Sequence, residues 1–516
     1  MFCKRDGAIL AVACGIFGHV SSFVVSASQL DAIGVTSVRK EDASLTGSAI
    51  HAAQPEGGSP TWEVNPAAVG QPTNLFTWIS SSGSSSTYTN SLGQESVHAD
   101  AVGNNFYGAV SGVAPDIASL DNYEASYFLL TVVPSLSAIR AQVVNQSFIE
   151  SSSLPIGPTT ESQYDNYVAT YNTIIVSGAG NSGPPQPPAT AYNVIAVGAY
   201  GGASSIGPTT NGARAKPDIT APASATSFST PLVAGSAALL LQSAARGDAG
   251  SGSAATATNA ITIKALLLNG AVKPSDWTNG PASPLDARYG AGVVNAYNSW
   301  RQLRGGRQPH IESTSPGVGG DHFPAGNSNN IAVRHGWDSG SISASLFNDA
   351  VNHYYFRLDP AEAGGFSLSA TLVWLRHASQ SSINNLDLFL YDAVTSNLLA
   401  SSQSSVDNVE HLFLPKLPAG RYDLQVLEHG GLGTSSETYA LAFDFEPVRL
   451  DIARAANGVT ISWPVSAAGF SLESASDLQG VSSWSSIAAA PVQTNGQYVV
   501  ELPLTNNLQF LRLTRP

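Results

Sequence analysis

The chain has 516 residues, a net charge of −14 and only 12% charged residues. This length predicts about three domains, with enough chain to form a sizeable hydrophobic core. The acidic charge argues against the basic surface that nucleic-acid-binding proteins use.

The first 27 residues are typical of a secretory signal peptide. A basic start precedes a mostly apolar stretch over 8–25, and small residues up to Ala27 form a candidate cleavage site. Glycines and serines interrupt the stretch, which favours a cleaved signal over a membrane anchor. Both cysteines, Cys3 and Cys14, lie in this segment, so we expect a secreted mature chain without disulfides. No later apolar run is expected to span a membrane.

Residues 28–303 alternate short apolar strands with helical stretches, which predicts an α/β domain with a parallel sheet. The predicted strands are Asn172–Val176 and Val194–Val197, and the predicted helices are Leu232–Arg246, Thr258–Ala271 and Gly292–Leu303.

Histidine is scarce in this domain, which contains only His51 and His98. His98 lies in a helix-like run, Glu95–Gly103, and the sequence Gly-Val-Ala-Pro follows at 112–115. A serine nucleophile needs a base at neutral pH, and His98 is the candidate. The alternative is an ordinary histidine on a helix surface.

A glycine-rich turn, Ser177–Gly183, follows the first of these predicted strands. Its letters satisfy the dinucleotide-binding pattern G-x-G-x-x-G, but that motif requires a helix directly after the glycines. Prolines at 184, 185, 187 and 188 prevent such a helix. The prolines therefore exclude a dinucleotide site, and a glycine turn with no chemical role stays open as an alternative for this segment.

The segment Ala225–Gly235 places Ser227 before a strongly apolar helix. Pro231 suits a first helical turn, so the helix is predicted to begin near Leu232. Free N–H groups and the positive dipole end at a helix N-terminus favour developing negative charge. Ser227 is therefore a candidate nucleophile, although a serine here can also be only a helix cap.

The C-terminal part has a different pattern. Residues 304–330 are rich in Gly, Pro, Ser and Asn and are predicted to be a linker. Amphipathic and aromatic strands then predict two all-β domains, a jelly-roll-like sandwich over 331–446 and a fibronectin-III-like module over 447–516.

Four motifs of the α/β domain resemble those of subtilisin-like serine proteases, and their order along the chain agrees with that family. Segment 225–235 resembles G-T-S-x-A-x-P-x-V-A-G, with Ala225 for Gly and Ser229 for Ala. The run at His98 partly matches H-G-T-H-V-A-G, residues 112–115 match G-V-A-P, and 177–183 resembles A-A-G-N-S-G. The resemblance covers about residues 49–303.

The resemblance implies specific roles. Ser227 would be the nucleophile, His98 the base, and the Asn181 amide would form the oxyanion hole with the Ser227 N–H. The family places an aspartate at the end of its first core strand. Here segment 49–58 stands in that place and offers Glu56. Glu63, Asp100 or no carboxylate at all stay open as alternatives.

Residues 144–148 resemble the strand that pairs with bound peptide in this family. This implies substrate-binding roles for Asn145, Ser147 and Phe148, together with Gly178. An ordinary core strand is the alternative. Asp218, in a turn before the nucleophile segment, is expected to be structural.

The sequence thus predicts a secreted serine endopeptidase that acts on proteins or peptides through an acyl-enzyme, with no cofactor. Structural calcium occurs in the family, but no Asp-rich loop with ligand spacing indicates a metal site here. The trailing sandwich resembles domains of secreted bacterial peptidases and could contact a cell surface or polysaccharide. The alternative function is a catalytically impaired protein that binds peptides or surfaces.

Overall fold

The computed structural model describes residues 27–150, 158–313, 331–343, 351–360, 365–378, 380, 382–429, 436–455, 458–464, 470–475, 484–494, 497–503 and 510–514. The predicted signal segment up to residue 26 and residues 314–330 of the predicted linker lie outside the described residues. Contacts divide the chain into two units. The first comprises 46–242 and 376–381, and the second comprises 27–45, 243–375 and 382–516.

The helices are α1 (Ala27–Ala32), α2 (Val35–Glu41), α3 (Val97–Phe106), α4 (Ala125–Tyr127), α5 (Pro158–Tyr171), α6 (Thr226–Ala245), α7 (Ala254–Ala257), α8 (Ala260–Asn269) and α9 (Ala296–Arg304). A 3₁₀ turn covers Thr73–Leu75, and a π-helical turn covers Phe128–Val132.

The strands before residue 250 are β1 (His51–Glu56), β2 (Thr61–Glu63), β3 (Phe76–Ser80), β4 (Gly83–Ser85), β5 (Gln94–Glu95), β6 (Ser119–Glu124), β7 (Val143–Gln146), β8 (Ile174–Gly178), β9 (Ile195–Tyr200) and β10 (Ile219–Pro222). The later strands are β11 (Ile311–Ser313), β12 (His335–Ser343), β13 (Val351–Leu358), β14 (Phe366–Trp374), β15 (Leu386–Asp392), β16 (Leu398–Ser402), β17 (Val409–Leu417), β18 (Gly420–Glu428), β19 (Ser436–Pro447), β20 (Asp451–Ala455), β21 (Gly458–Pro464), β22 (Ser471–Ala475), β23 (Ser485–Ser486), β24 (Val492–Thr494), β25 (Gln497–Pro503) and β26 (Phe510–Thr514).

The first unit is built on an eight-stranded sheet with the order β10-β9-β8-β7-β1-β6-β3-β4. All neighbours are parallel except β4, which pairs antiparallel with β3. β8 and most of β9 are buried, as expected for apolar strands inside a parallel sheet. The predicted α/β fold with a parallel sheet is confirmed.

Helix α6 begins at Thr226, six residues before the predicted start at Leu232. Pro231 therefore lies inside the helix and not in its first turn. Among the described residues, α6 is the one helix that is long and apolar enough to cross a membrane, contrary to the expectation from sequence. However, 83% of its apolar window is buried in the fold, which is the property of a core helix.

The second unit contains antiparallel sheets, as predicted. A five-stranded sheet, β11-β13-β18-β15-β16, and a four-stranded sheet, β12-β19-β14-β17, contribute to one hydrophobic core that includes Phe356, Leu388 and Phe443. Two smaller sheets, β20-β21-β25-β24 and β23-β22-β26, follow around Trp463. β11 lies in the predicted linker and pairs with β13; the jelly-roll and fibronectin labels and the domain boundaries stay predictions.

Candidate active site

The candidate site lies where parallel strands of the first unit end. β1 ends at Glu56, β7 ends one residue before Ser147, and β8 ends three residues before Asn181. These strands are neighbours in the order β8-β7-β1. Carboxyl ends of parallel strands meet at one edge of a sheet, which is where ligands bind in open α/β folds.

His98 contacts Glu56. The distance from His98 Nδ1 to Glu56 Oε2 is 3.0 Å, and the glutamate side chain is 1% exposed. A carboxylate can only accept, so Nδ1 is assigned the proton, which leaves Nε2 as the free acceptor. Burial disfavours the imidazolium, but the charge of Glu56 and its hydrogen bond outweigh burial and raise the pKa of His98. The ring therefore has the orientation that a general base requires.

The other candidate carboxylates have different partners. Asp100 Oδ1 accepts the Asn65 N–H at 2.7 Å. Burial, reinforced by the charge of Glu95, raises the pKa of Asp100 to about 7. Glu63 is buried in β2, and burial raises its pKa as well. Among the described carboxylates, Glu56 is the one that contacts His98.

The Asn181 side chain is fixed by the first residue of α6. Its Oδ1 accepts both the backbone N–H and the hydroxyl of Thr226, each at 2.9 Å. The atom that faces these donors must be the oxygen, so the amide orientation follows from the hydrogen bonds. The Nδ2 group consequently has no partner among the described residues and can donate to a ligand.

The described geometry does not join Ser227 to His98. Ser227 Oγ donates instead to the Ser147 carbonyl at 3.3 Å, and His98 Nε2 is buried without a hydrogen-bond partner among the described residues. The His98 ring lies 5.9 Å from the ring of Phe228, the next residue after Ser227. Nucleophile–base bonds are often loose without substrate and tighten when it binds.

Pro231 explains a second contact between Ser227 and Ser147. A helix normally bonds the N–H of residue i+4 to the carbonyl of residue i. Pro231 has no N–H to give to the Ser227 carbonyl. The Ser147 hydroxyl donates to that carbonyl at 2.9 Å, which satisfies the acceptor that the proline leaves open.

The four predicted substrate-binding residues have different surroundings. Ser147 contacts Ser227, as described above, and Phe148 is 7% exposed beside it. Asn145 is completely buried in β7, where its amide donates to Ser147 Oγ at 3.1 Å. Gly178 is buried at the end of β8, where a Cβ would lie 3.1 Å from the Thr230 hydroxyl. β8 pairs with β7 along its whole length, whereas β1 pairs with it only at Val143 and Val144, so a peptide could not pair with those two residues.

Two side chains that the sequence did not identify contact the Glu56 carboxylate directly or through one partner. Gln54 Nε2 donates to Glu56 Oε1 at 2.9 Å, and the Tyr107 hydroxyl donates to Gln54 Oε1 at 2.6 Å. The strand period would have been a usable signal for Gln54, because residues i and i+2 face the same side of a strand.

Asp218 forms a buried ion pair with Lys216 at 2.7 Å and accepts the Ala196 N–H at 2.7 Å. Within the part of the chain that the structure describes, no group of three or more His, Cys, Asp or Glu side chains is arranged to hold a metal ion.

Residues 101–292 match the model of the Subtilase family. The matched range begins three residues after His98 and includes Asn181 and Ser227. Residues 101–242 of the match lie in the first unit and 243–292 in the second, and the match indicates a subtilase domain over this range. No curated protein sequence matches the chain.

Several solved structures are similar. The prenylagaramide maturation protease PagA is 22% identical, with a TM-score of 0.37, over 51% of this chain and 98% of that one. A protease from Pseudoalteromonas arctica PAMC 21717 is 18% identical, with a TM-score of 0.37, over 54% and 97%. A serine protease of Aeromonas sobria is 12% identical, with a TM-score of 0.37, over 91% and 89%.

Proposed function

We propose that the subtilase domain of this chain makes it a secreted serine endopeptidase, with Ser227, His98 and Glu56 as its catalytic triad. The observation that carries this proposal is the 3.0 Å contact between His98 Nδ1 and the buried Glu56 carboxylate. It gives the imidazole the tautomer and orientation of a base.

In the proposed first step, a rotation of the Ser227 side chain moves its hydroxyl from the Ser147 carbonyl to His98 Nε2. The hydroxyl oxygen bonds to the carbonyl carbon of the peptide while its proton moves to Nε2. The N–H groups of the Asn181 amide and of Ser227 donate to the resulting oxyanion. The Asn181 amide is suited to this role because its oxygen is bonded to Thr226 and its Nδ2 has no partner in the described part of the chain.

The C–N bond then breaks, and the leaving amine takes the proton from His98. Water then adds to the acyl carbon while His98 accepts one of its protons, and His98 returns that proton to the Ser227 oxygen as the acyl–oxygen bond breaks and the acid leaves. Every catalytic group in these reaction steps belongs to the chain, so we propose that no cofactor is required. Secretion is proposed from the signal-like N-terminus, and contact of the β domains with surfaces or polysaccharide stays a prediction.

The direct test is active-site labelling. A fluorophosphonate probe should modify the wild-type chain at Ser227 and should not modify Ser227→Ala, and only wild type should hydrolyse casein. Peptide mapping of the labelled chain identifies the modified serine. Equal casein hydrolysis by the two proteins would exclude Ser227 as the nucleophile.

One observation favours the second candidate function, a non-catalytic peptide-binding protein. Ser227 Oγ is bonded to the Ser147 carbonyl, and His98 Nε2 has no partner among the described residues. A chain that binds casein peptides but neither reacts with the probe nor hydrolyses casein would support this alternative.

A further inference from the structure

Behind the Glu56–His98 pair lies a chain of buried polar groups. Gln54 Nε2 donates to Glu56 Oε1 at 2.9 Å and also to the Ala99 carbonyl at 2.9 Å. The Tyr107 hydroxyl donates to Gln54 Oε1 at 2.6 Å. Gln54, Glu56 and Tyr107 are all completely buried, so water cannot replace any of these bonds.

The orientation of the Gln54 amide is fixed by its partners. The Ala99 carbonyl and the Glu56 carboxylate can only accept, so both must face the NH₂ group. The oxygen then faces Tyr107, which must donate. Burial, and next the charges of Glu56 and Asp100, raise the pKa of Tyr107 well above its usual value, so the hydroxyl keeps its proton. No flipped amide satisfies all three partners.

Glu56 has two donors among the described residues. His98 donates to Oε2 and Gln54 donates to Oε1. A buried carboxylate that loses one of two donors is poorly solvated and free to rotate. We propose that Gln54 and Tyr107 are positioning residues, which hold the Glu56 carboxylate against His98 through one continuous network of hydrogen bonds.

Gly103 supports the same arrangement from α3. A Cβ at this position would lie 2.7 Å from the Tyr107 hydroxyl and 2.9 Å from its ring carbon. This separation is too short for non-bonded atoms. The absence of a side chain at Gly103 therefore allows Tyr107 to pack against α3 and reach Gln54.

This inference rests on the proposed protease function, and kinetics provide its first test. Gln54→Leu removes a hydrogen bond to a charged group and should lower kcat by about 10–100-fold with little change in KM. Tyr107→Phe removes one neutral hydroxyl donor and should lower kcat by about 3–10-fold. The double variant should lose less than the product of the two, because both act through one network.

Tyr164→Phe is the matched control. Tyr164 is also completely buried, and its hydroxyl accepts a hydrogen bond from a buried glutamine, Gln146, at 2.7 Å. It lies on α5 and not in the Glu56 network. The kcat of Tyr164→Phe should stay near wild type, while the stability of this variant should fall about as much as that of Tyr107→Phe. Equal kcat in Tyr107→Phe and Tyr164→Phe would overturn the proposal.

NMR of His98 provides a readout that needs no proteolysis. In a Ser227→Ala chain, the pKa of His98 and its Nδ1–H resonance can be followed by pH titration. Adding Gln54→Leu or Tyr107→Phe should lower the pKa toward that of an ordinary histidine and weaken the Nδ1–H resonance, whereas Tyr164→Phe should change neither. An unchanged His98 in both network variants overturns the inference even if the chain proves to be inactive. Tyr107→Phe decides the matter if Gln54→Leu fails to fold.

Discussion

Asn181 is bonded to Thr226 through one atom: its Oδ1 accepts both the backbone N–H and the hydroxyl of that residue. The first turn of α6 therefore orients the asparagine that stands beside the nucleophile. Since the oxygen is used in this way, the NH₂ end remains available for a substrate oxyanion.

We expect Asn181→Ala to lower kcat by about 10²–10³-fold with little change in KM, as for the loss of one oxyanion donor. Asn181→Asp keeps an acceptor for Thr226 but offers no donor, so it should be at least as impaired. Steady-state kinetics on a peptide substrate measure both. A raised KM with unchanged kcat would instead assign Asn181 to ground-state binding.

We expect Glu56→Gln to lower kcat by about 10⁴-fold, because a neutral amide favours the wrong imidazole tautomer. Glu63→Gln and Asp100→Asn are the matched controls, and each should have a far smaller effect. Glu56→Asp removes one methylene, and the sequence predicts that this change is milder than Glu56→Gln. If Glu56→Gln has a near-normal kcat and either Glu63→Gln or Asp100→Asn has a strongly reduced kcat, another carboxylate is the triad acid.

The pH profile of kcat/KM should have its acid limb above pH 6.5. Glu56 raises the pKa of His98 from its usual 6.5, so the imidazole stays protonated, and unable to accept the Ser227 proton, to a higher pH. Activity should rise as the pH passes through this raised value. The limb should move to lower pH in Glu56→Gln. A wild-type midpoint below 6.5 would contradict the expected electrostatics.

Asp100→Asn should stabilise the protein at high pH. The pKa of Asp100 is raised from 3.8 to about 7, so the folded chain retains a proton there that the unfolded chain has lost. The contribution of protonated Asp100 to the free energy of unfolding is fully present below the unfolded pKa of 3.8. It is lost as the pH rises through about 7. Asparagine keeps an acceptor for Asn65 and carries no charge.

Thermal unfolding measures this effect. A gain of about 1 kcal/mol corresponds to about 2–4 °C in Tm for a domain of this size. The gain should be present at pH 8 and absent at pH 4. The exposed Asp116 provides the control, and Asp116→Asn should leave the pH dependence unchanged. Equal gains for Asp100→Asn at both pH values would contradict the explanation.

Ser147→Ala should cost about 1 kcal/mol of stability, because it removes the hydrogen bond to the Ser227 carbonyl. In a Pro231→Ala background the new N–H of residue 231 can bond that carbonyl. The same Ser147→Ala change should then cost less. Urea unfolding of the four proteins gives the coupling energy, and strictly additive costs would refute the link between Pro231 and Ser147.

Local sequence pattern predicted several elements of residues 28–303 closely. The strand predicted at 172–176 and the helix predicted at 292–303 differ from β8 and α9 by one to four residues at each end. The predicted start of α6 is wrong, because the sequence pattern places Pro231 in the first helical turn. Pro231 is tolerated inside the helix because the hydroxyl of Ser147, one residue after β7, replaces the missing helical hydrogen bond.

The site was predictable in part. Motif order identified Ser227, His98 and Asn181 as candidates, but nothing local could decide among Glu56, Glu63 and Asp100. That decision depends on a contact between residues 42 positions apart, which follows from the packing of α3 beside β1. Tyr107 was missed for the same reason, since it lies 53 positions from Gln54, whereas the strand period could have indicated Gln54 beside Glu56.

The close approach at Gly103 affects how tolerance to mutation should be interpreted. A saturation scan of activity would find this position nearly as intolerant as His98, since even alanine would place a methyl group on the Tyr107 hydroxyl. Such a scan would mark as essential a residue with no functional group and no contact with substrate. The position requires the absence of a side chain, because the Tyr107 hydroxyl lies where a Cβ would make contact.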